Sequence, residues 1–148
     1  MQTFLPFADF VETAKCLDYK RLGKQRVEAY QILRVLLGIG KRNKNGNLAW
    51  ENHPAVKMWK GYEPALYLYT IAICSEWKKR GYRDSIIPKI NEIIHLTSEE
   101  LPTISMPPWL NNADIMASHR SNLLRKNKEY YSQFGWTEPN NLPYVWPV

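Results

Sequence analysis

No segment of this chain sustains the alternation of apolar and polar residues between turn signals that a half-buried strand needs. It offers instead helix-length runs punctuated by proline and glycine. The expected fold class is therefore all-α: a compact, single-domain, multi-helix fold with an extended N-terminal arm and an aromatic, proline-rich C-terminal tail. Pro6 keeps residues 1–8 out of any early helix. Asp9 can cap a helix that starts beside it, with Glu12 placed for a capping box. Helical spacing of Leu22, Ala29, Leu33 and Leu36 carries a helix from Phe10 to Leu37, with a break expected near Gly23 and a stop at Gly38 and Gly40.

Residues 41–49 form a basic turn around Asn45-Gly46. A short helix is expected over Ala55–Lys60, with Asn52 as its cap and Pro54 in its first turn. A long helix then runs from Pro64 to Arg80-Gly81, with Leu68, Ile71, Ala72 and Cys74 as its apolar positions. Ser85–His95 reads as a further helix, residues 97–112 as a loop with turns, and Ala113–Lys126 as a last helix. The tail from Gly135 to Val148, broken by three prolines, is expected to lay its tryptophans over the body.

At 148 residues the chain suits one domain, 1–148, with a core of its own. No apolar run approaches bilayer length and the N-terminus lacks the pattern of a signal peptide, so no membrane partner and a cytoplasmic location are expected. Twenty Lys+Arg against fourteen Asp+Glu give a net charge of +6. The excess concentrates in residues 1–50, which hold Lys15, Lys20, Arg21, Lys24, Arg26, Arg34, Lys41, Arg42 and Lys44 against Asp9, Glu12, Asp18 and Glu28. A basic half of this kind favours a polyanion, nucleic acid or nucleotide, although a merely soluble basic protein has the same arithmetic. Cys16 and Cys74 lack the spacing of a zinc site and read as small buried hydrophobes.

Three clusters carry candidate chemistry. Arg21, Lys24, Gln25 and Glu28 fall at i, i+3, i+4 and i+7, one face of a continuous helix. Cations there can hold phosphate and Glu28 can move a proton. The plainer reading is a solvated face with a Lys24–Glu28 ion pair. Trp50-Glu51-Asn52-His53-Pro54, with Lys57, Trp59, Lys60 and Tyr62 after it, interleaves aromatic rings with cations as nucleobase stacking requires. Its alternative makes Trp50 and Trp59 core anchors and His53 a capping residue. Ser118-His119-Arg120-Ser121-Asn122, with Arg125 and Lys126, fits phosphate or a polar helix face equally. His95 reads as structural. Phosphate-loop, dinucleotide, zinc-protease, nucleophile-elbow and calcium-loop motifs are missing. The scattered carboxylates do not suggest a metal-dependent nuclease.

Several stretches resemble the pyrimidine-dimer DNA glycosylases, the phage endonuclease V-type enzymes. They are Tyr19-Lys20-Arg21-Leu22 with Arg26-Val27, and the run from His53 through Trp59, Tyr62, Ile71-Ala72 and Cys74 to Lys79-Arg80-Gly81-Tyr82. Tyr130-Tyr131 with Gly135 is similar too. The fuller runs Leu22 to Glu28, Asn52 to Val56 and Leu142 to Pro147 look like a bacterial and phage branch of that group. The resemblance implies a helical enzyme that needs no metal or cofactor, takes duplex DNA as partner, and flips a nucleotide out beside the lesion. It further implies that an N-terminal α-amine attacks the sugar C1′ to form a Schiff base, that a helix carboxylate assists, and that β-elimination breaks the strand. An α-amine titrates near 8 and is partly neutral at pH 7.

Two positions depart from the family pattern. Its small second residue is replaced by Gln2, which assigns the amine to Met1, or to Gln2 were Met1 removed. The carboxylate that comes directly after its Tyr-Arg pair is replaced by Arg21, leaving Glu28 as the nearest acid on that helix face. The expected function is thus a DNA glycosylase with associated lyase activity on damaged or modified pyrimidines. Its catalytic groups are Met1 or Gln2 with Glu28, and its DNA or phosphate contacts Arg21, Lys24, Gln25, Arg26, His53, Lys57, Trp59, His119 and Arg120. The rivals are a non-catalytic module binding DNA or a small nucleotide, and a hydrolase or transferase using His53 or His119 as base.

Overall fold

The structure, a computed structural model, describes residues 1–96 and 99–148. It is all-α. Helix α1 (Phe10–Cys16) and α2 (Tyr19–Leu36) precede the single turn α3 (Pro54–Lys57), the long α4 (Glu63–Lys79) and α5 (Ile86–Ile93). Two 3-10 turns, Leu101–Thr103 and Pro108–Asn111, lead to α6 (Ala113–Lys126) and the short α7 (Lys128–Tyr131), with a third turn at Ser132–Phe134. Of the expected 97–112 loop, residues 97–98 lie outside the described residues. Among the described residues, no helix is long and apolar enough to cross a membrane.

Asp9 caps α1 as its sequence suggests, its carboxylate accepting the Glu12 N–H at 2.8 Å. The interruption expected near Gly23 falls instead at Leu17–Asp18, where both residues are extended. A contact distant in sequence holds it open. Asp18 is buried, accepts the Tyr131 hydroxyl through its carboxylate, and donates its own N–H to that oxygen at 3.0 Å. Gly23 serves closeness rather than a break. A Cβ there would stand 2.9 Å from the Trp77 ring, so the missing side chain is what lets α4 lie against α2.

Two other expectations shift. His53, not Asn52, caps α3, its Nδ1 accepting the Ala55 N–H at 3.0 Å, and that helix stops at Lys57. The buried face of α4 is Ala65, Leu66, Tyr69, Thr70, Ile73 and Cys74. Leu68, Ile71 and Ala72 instead line a shallow groove with α1. The helix is apolar nearly all round, so spacing alone does not say which side turns inward. Both cysteines are free and buried, and burial pushes the Cys16 thiol up to about 12.

The arm and the tail complete the core. Thr3, Phe4 and Leu5 are buried among Trp59, Tyr69 and α6. With no neighbouring strand, their backbone groups find side chains. Phe4 N–H donates to Gln25 Oε1 and Leu5 N–H to His119 Nδ1, both at 2.8 Å. The Gln2 carbonyl accepts from Gln25 Nε2 at 2.7 Å and the Pro6 carbonyl from Arg120 at 2.8 Å. The tail is fastened similarly to α6. Ser121 Oγ accepts the Leu142 N–H, Ser118 Oγ accepts the Val145 N–H, and Asn122 donates to the Leu142 carbonyl. Its aromatic side chains do pack over the body: Trp136 stacks on Tyr131, and Tyr144 meets Phe4 and His119.

Substituting Gly23→Ala should lower the unfolding free energy by about 1–3 kcal/mol, the usual cost of overpacking. Urea midpoints would measure it, and the loss should shrink when Trp77→Phe shortens the opposing ring.

Candidate functional site

A cavity of about 420 Å³ opens where the arm, α2, α6 and the tail meet. Met1, Gln2 and Phe4 come from the arm, Lys20, Arg21, Lys24, Gln25 and Glu28 from α2, Lys126 from α6 and Tyr144 from the tail. The four residues spaced i, i+3, i+4 and i+7 therefore share one wall. Lys24 Nζ stands 3.8 Å from Glu28, so the plain ion pair forms too, but at the mouth of a hollow and with Lys24 largely in solvent. An exposed pair of that kind is worth little in stability. Glu28 is mostly covered, and its Oε2 accepts from Gln25 Nε2 at 2.9 Å.

The charge around this hollow is predominantly positive. Arg21 is neutralised by Asp18 at 3.1 Å. Lys20, Lys24 and Lys126 share the hollow with one carboxylate, Glu28. Lys126 is pushed below the ordinary lysine range, first by burial and then by the neighbouring charges of Arg21, Lys24 and Arg125, with Glu28 pulling the other way. Cations crowded enough to disfavour one another's charge gain when an anion arrives.

His53 stands beside this group. Burial, and then the positive charge on residue 1, hold it below the usual imidazole range while Glu28 opposes them. Its ring is flanked edge-on by Trp50 and Trp146, each with centroids 6.0 Å away. Because Nδ1 accepts the Ala55 N–H, a neutral His53 carries its proton on Nε2.

Other expected contacts lie elsewhere. Gln25 is 1% exposed and bonds the arm, Tyr69 and Glu28, so it braces the wall instead of gripping DNA. Arg26 points away from the cavity, paired with Asp84 and lying 4.5 Å over the Trp77 ring. Trp59 is 0% exposed, donates to Thr3 Oγ1 at 3.0 Å and packs edge-on against Trp109, which makes it a core anchor. His119 is likewise 0% exposed, and burial together with the Arg120 charge lowers it to about 3. It meets no phosphate and is no catalytic base. Arg120 pairs with Glu138 and holds Pro6. Lys57 is exposed on α3 outside the cavity, and His95 is exposed as well. Gln2 is buried, its Oε1 accepting the Thr3 N–H.

The sequence singled out Lys126 beside a cluster suited to phosphate, and Tyr144 within the Leu142–Pro147 run, but nothing in it placed either of them against α2. Both arrive through the docking of α6 and the tail. Among the described residues, no group of three His, Cys, Asp or Glu is gathered as a metal site.

The sequence profile of a family described as pyrimidine dimer DNA glycosylase matches residues 1–87. That stretch contributes the arm and α2, while Lys126 and Tyr144 lie beyond it. Comparison with curated proteins and with solved structures gives no match.

Buried neutral His119 links stability to acid. The unfolded imidazole takes up a proton as pH falls through about 6.5, but the folded one does so only near 3, so stability is lost on acidification across that window. From pH 6.5 to 5 the unfolding free energy should drop by about 2 kcal/mol. Denaturant titrations would show this, and His119→Gln should flatten the dependence.

Proposed function

This chain belongs to the pyrimidine dimer DNA glycosylase family, and from that premise we propose that the α2 cavity excises a damaged pyrimidine and then breaks the DNA strand. The observation that carries the reading is the meeting, in one hollow, of residue 1, Glu28 and a ring of cations. DNA binding draws on Lys20, Lys24 and Lys126, whose contacts with backbone phosphates offset the cost of extruding a nucleotide.

In the proposed chemistry the α-amine of residue 1 attacks C1′, the C1′–base bond breaks, and the base leaves with a proton. The ring-opened sugar is then held as an imine to the chain. Loss of a C2′ proton expels the 3′ phosphate, and water releases the product. On this reading Glu28 moves these protons, and its mostly covered position with a single amide donor supports that role, suiting a proton carrier better than a fully solvated acid. His53, held neutral, adds a donor at the edge of the same group. The half-buried Tyr144 closes the far wall against solvent.

Borohydride reduction of the protein mixed with an abasic duplex should yield a covalent adduct whose linkage maps to residue 1. An extension ahead of Met1 should abolish it, and Glu28→Gln should slow its formation by about 10²–10⁴-fold. A wild-type chain that forms no adduct would overturn the amine chemistry. Duplex binding that still weakens with salt, at a log–log slope of about −0.9 per phosphate, would then leave a DNA-binding module on the same scaffold.

A further inference from the structure

Trp50 occupies a position that folding alone does not reward. Among the described residues it is the one non-glycine with positive φ, at 71°, a conformation that bulky side chains disfavour. Burial does not compensate, because the residue is 59% exposed while the other tryptophans are at least partly covered. Its indole walls two hollows, of about 370 and 310 Å³. One is shared with His53, which senses the charges of residue 1 and Glu28. The other is shared with Lys41, in the basic turn that also carries Arg42 and Lys44. Arg42 is tied back to the Gly46 carbonyl, and Glu51 is the carboxylate on the Trp50–His53 side.

An exposed flat ring in a disfavoured backbone conformation, next to solvated cations and edge-on to the His53 ring, matches the requirements of a stacked base with its flanking phosphates. Resting on the reading of the cavity as a DNA site, we propose that Trp50 is a stacking platform for a nucleobase of the bound strand, outside the cavity, with Lys41 and Lys44 on the adjoining phosphates. The basic turn makes a nucleic acid strand the better fit than an apolar protein surface.

The test is Trp50→Gly, since glycine suits a φ of 71°. Its thermal midpoint should equal or exceed that of the wild type, while its affinity for a duplex carrying a tetrahydrofuran abasic analogue falls by about tenfold or more. The salt slope should stay the same, because no phosphate contact is removed. DNA should quench the tryptophan emission of the wild type, and Trp50→Phe should lose that quenching and bind with intermediate affinity, which keeps the test decisive if the glycine variant folds poorly. Equal affinity of the wild type and both variants, with the borohydride adduct still forming, would overturn the platform and leave the cavity reading standing. A wild-type chain that retains no duplex and forms no adduct would remove both.

Discussion

The buried N-terminal arm is the constraint on which the remaining structure rests. A chain segment in a core must satisfy its backbone polar groups, and an unpaired one costs about 1–3 kcal/mol. Here no strand lies alongside to do it. Gln25, His119, Tyr69 and Arg120 supply the missing partners from three different parts of the fold. The result is a first residue held at a defined place beside α2. Without the arm, the stripe of Arg21, Lys24 and Glu28 would be the solvated face that its spacing equally allows. With the arm in place, the same stripe becomes one wall of a cavity.

Four of the eight arginines are neutralised within the fold, which net charge does not reveal. Arg21, Arg26, Arg80 and Arg120 each pair with a carboxylate that is largely buried. Their planar, multi-donor heads suit such fixed geometry. The cavity takes its remaining positive charge from lysines, Lys20, Lys126 and Lys24, the last 3.8 Å from Glu28, while Lys41 and Lys44 stand exposed on the basic turn. The positive field around the hollow is therefore mainly a lysine field, from compact point charges on flexible stems, which meet a phosphate without imposing one orientation on it.

This division also explains what the sequence could and could not disclose. Spacing along one helix is local, so the shared face of Arg21, Lys24, Gln25 and Glu28, the Asp9 cap and the extent of α6 were all legible. Helix spacing names a face but not what covers it. That is why His119 and Trp59, chemically plausible for DNA, prove to be wholly enclosed, and why Arg26 turns to Asp84, fifty-eight positions away. The break at Leu17–Asp18 likewise depends on Tyr131, a hydroxyl 113 residues distant. Ser118, Ser121 and Asn122 carry hydroxyl and amide groups suited to phosphate, yet those groups bond the backbone of the tail.

The two departures from the family pattern meet at a single side chain. Gln2 is large, and the structure accommodates it by turning it into the body, 5% exposed, with residue 1 beside it at the cavity. Glu28, the acid of the proposed chemistry, lies seven positions beyond Arg21, or about 10 Å further along the helix axis. Gln25 Nε2 bonds both the Gln2 carbonyl and Glu28 Oε2. The arm and Glu28 are thereby tied to one amide, itself fixed by Phe4 and Tyr69. On the proposed chemistry, the pair is not two independent losses of a motif but one relocation. Moving either partner alone would strand the other, since Gln25 cannot track Glu28 without releasing the arm that presents residue 1.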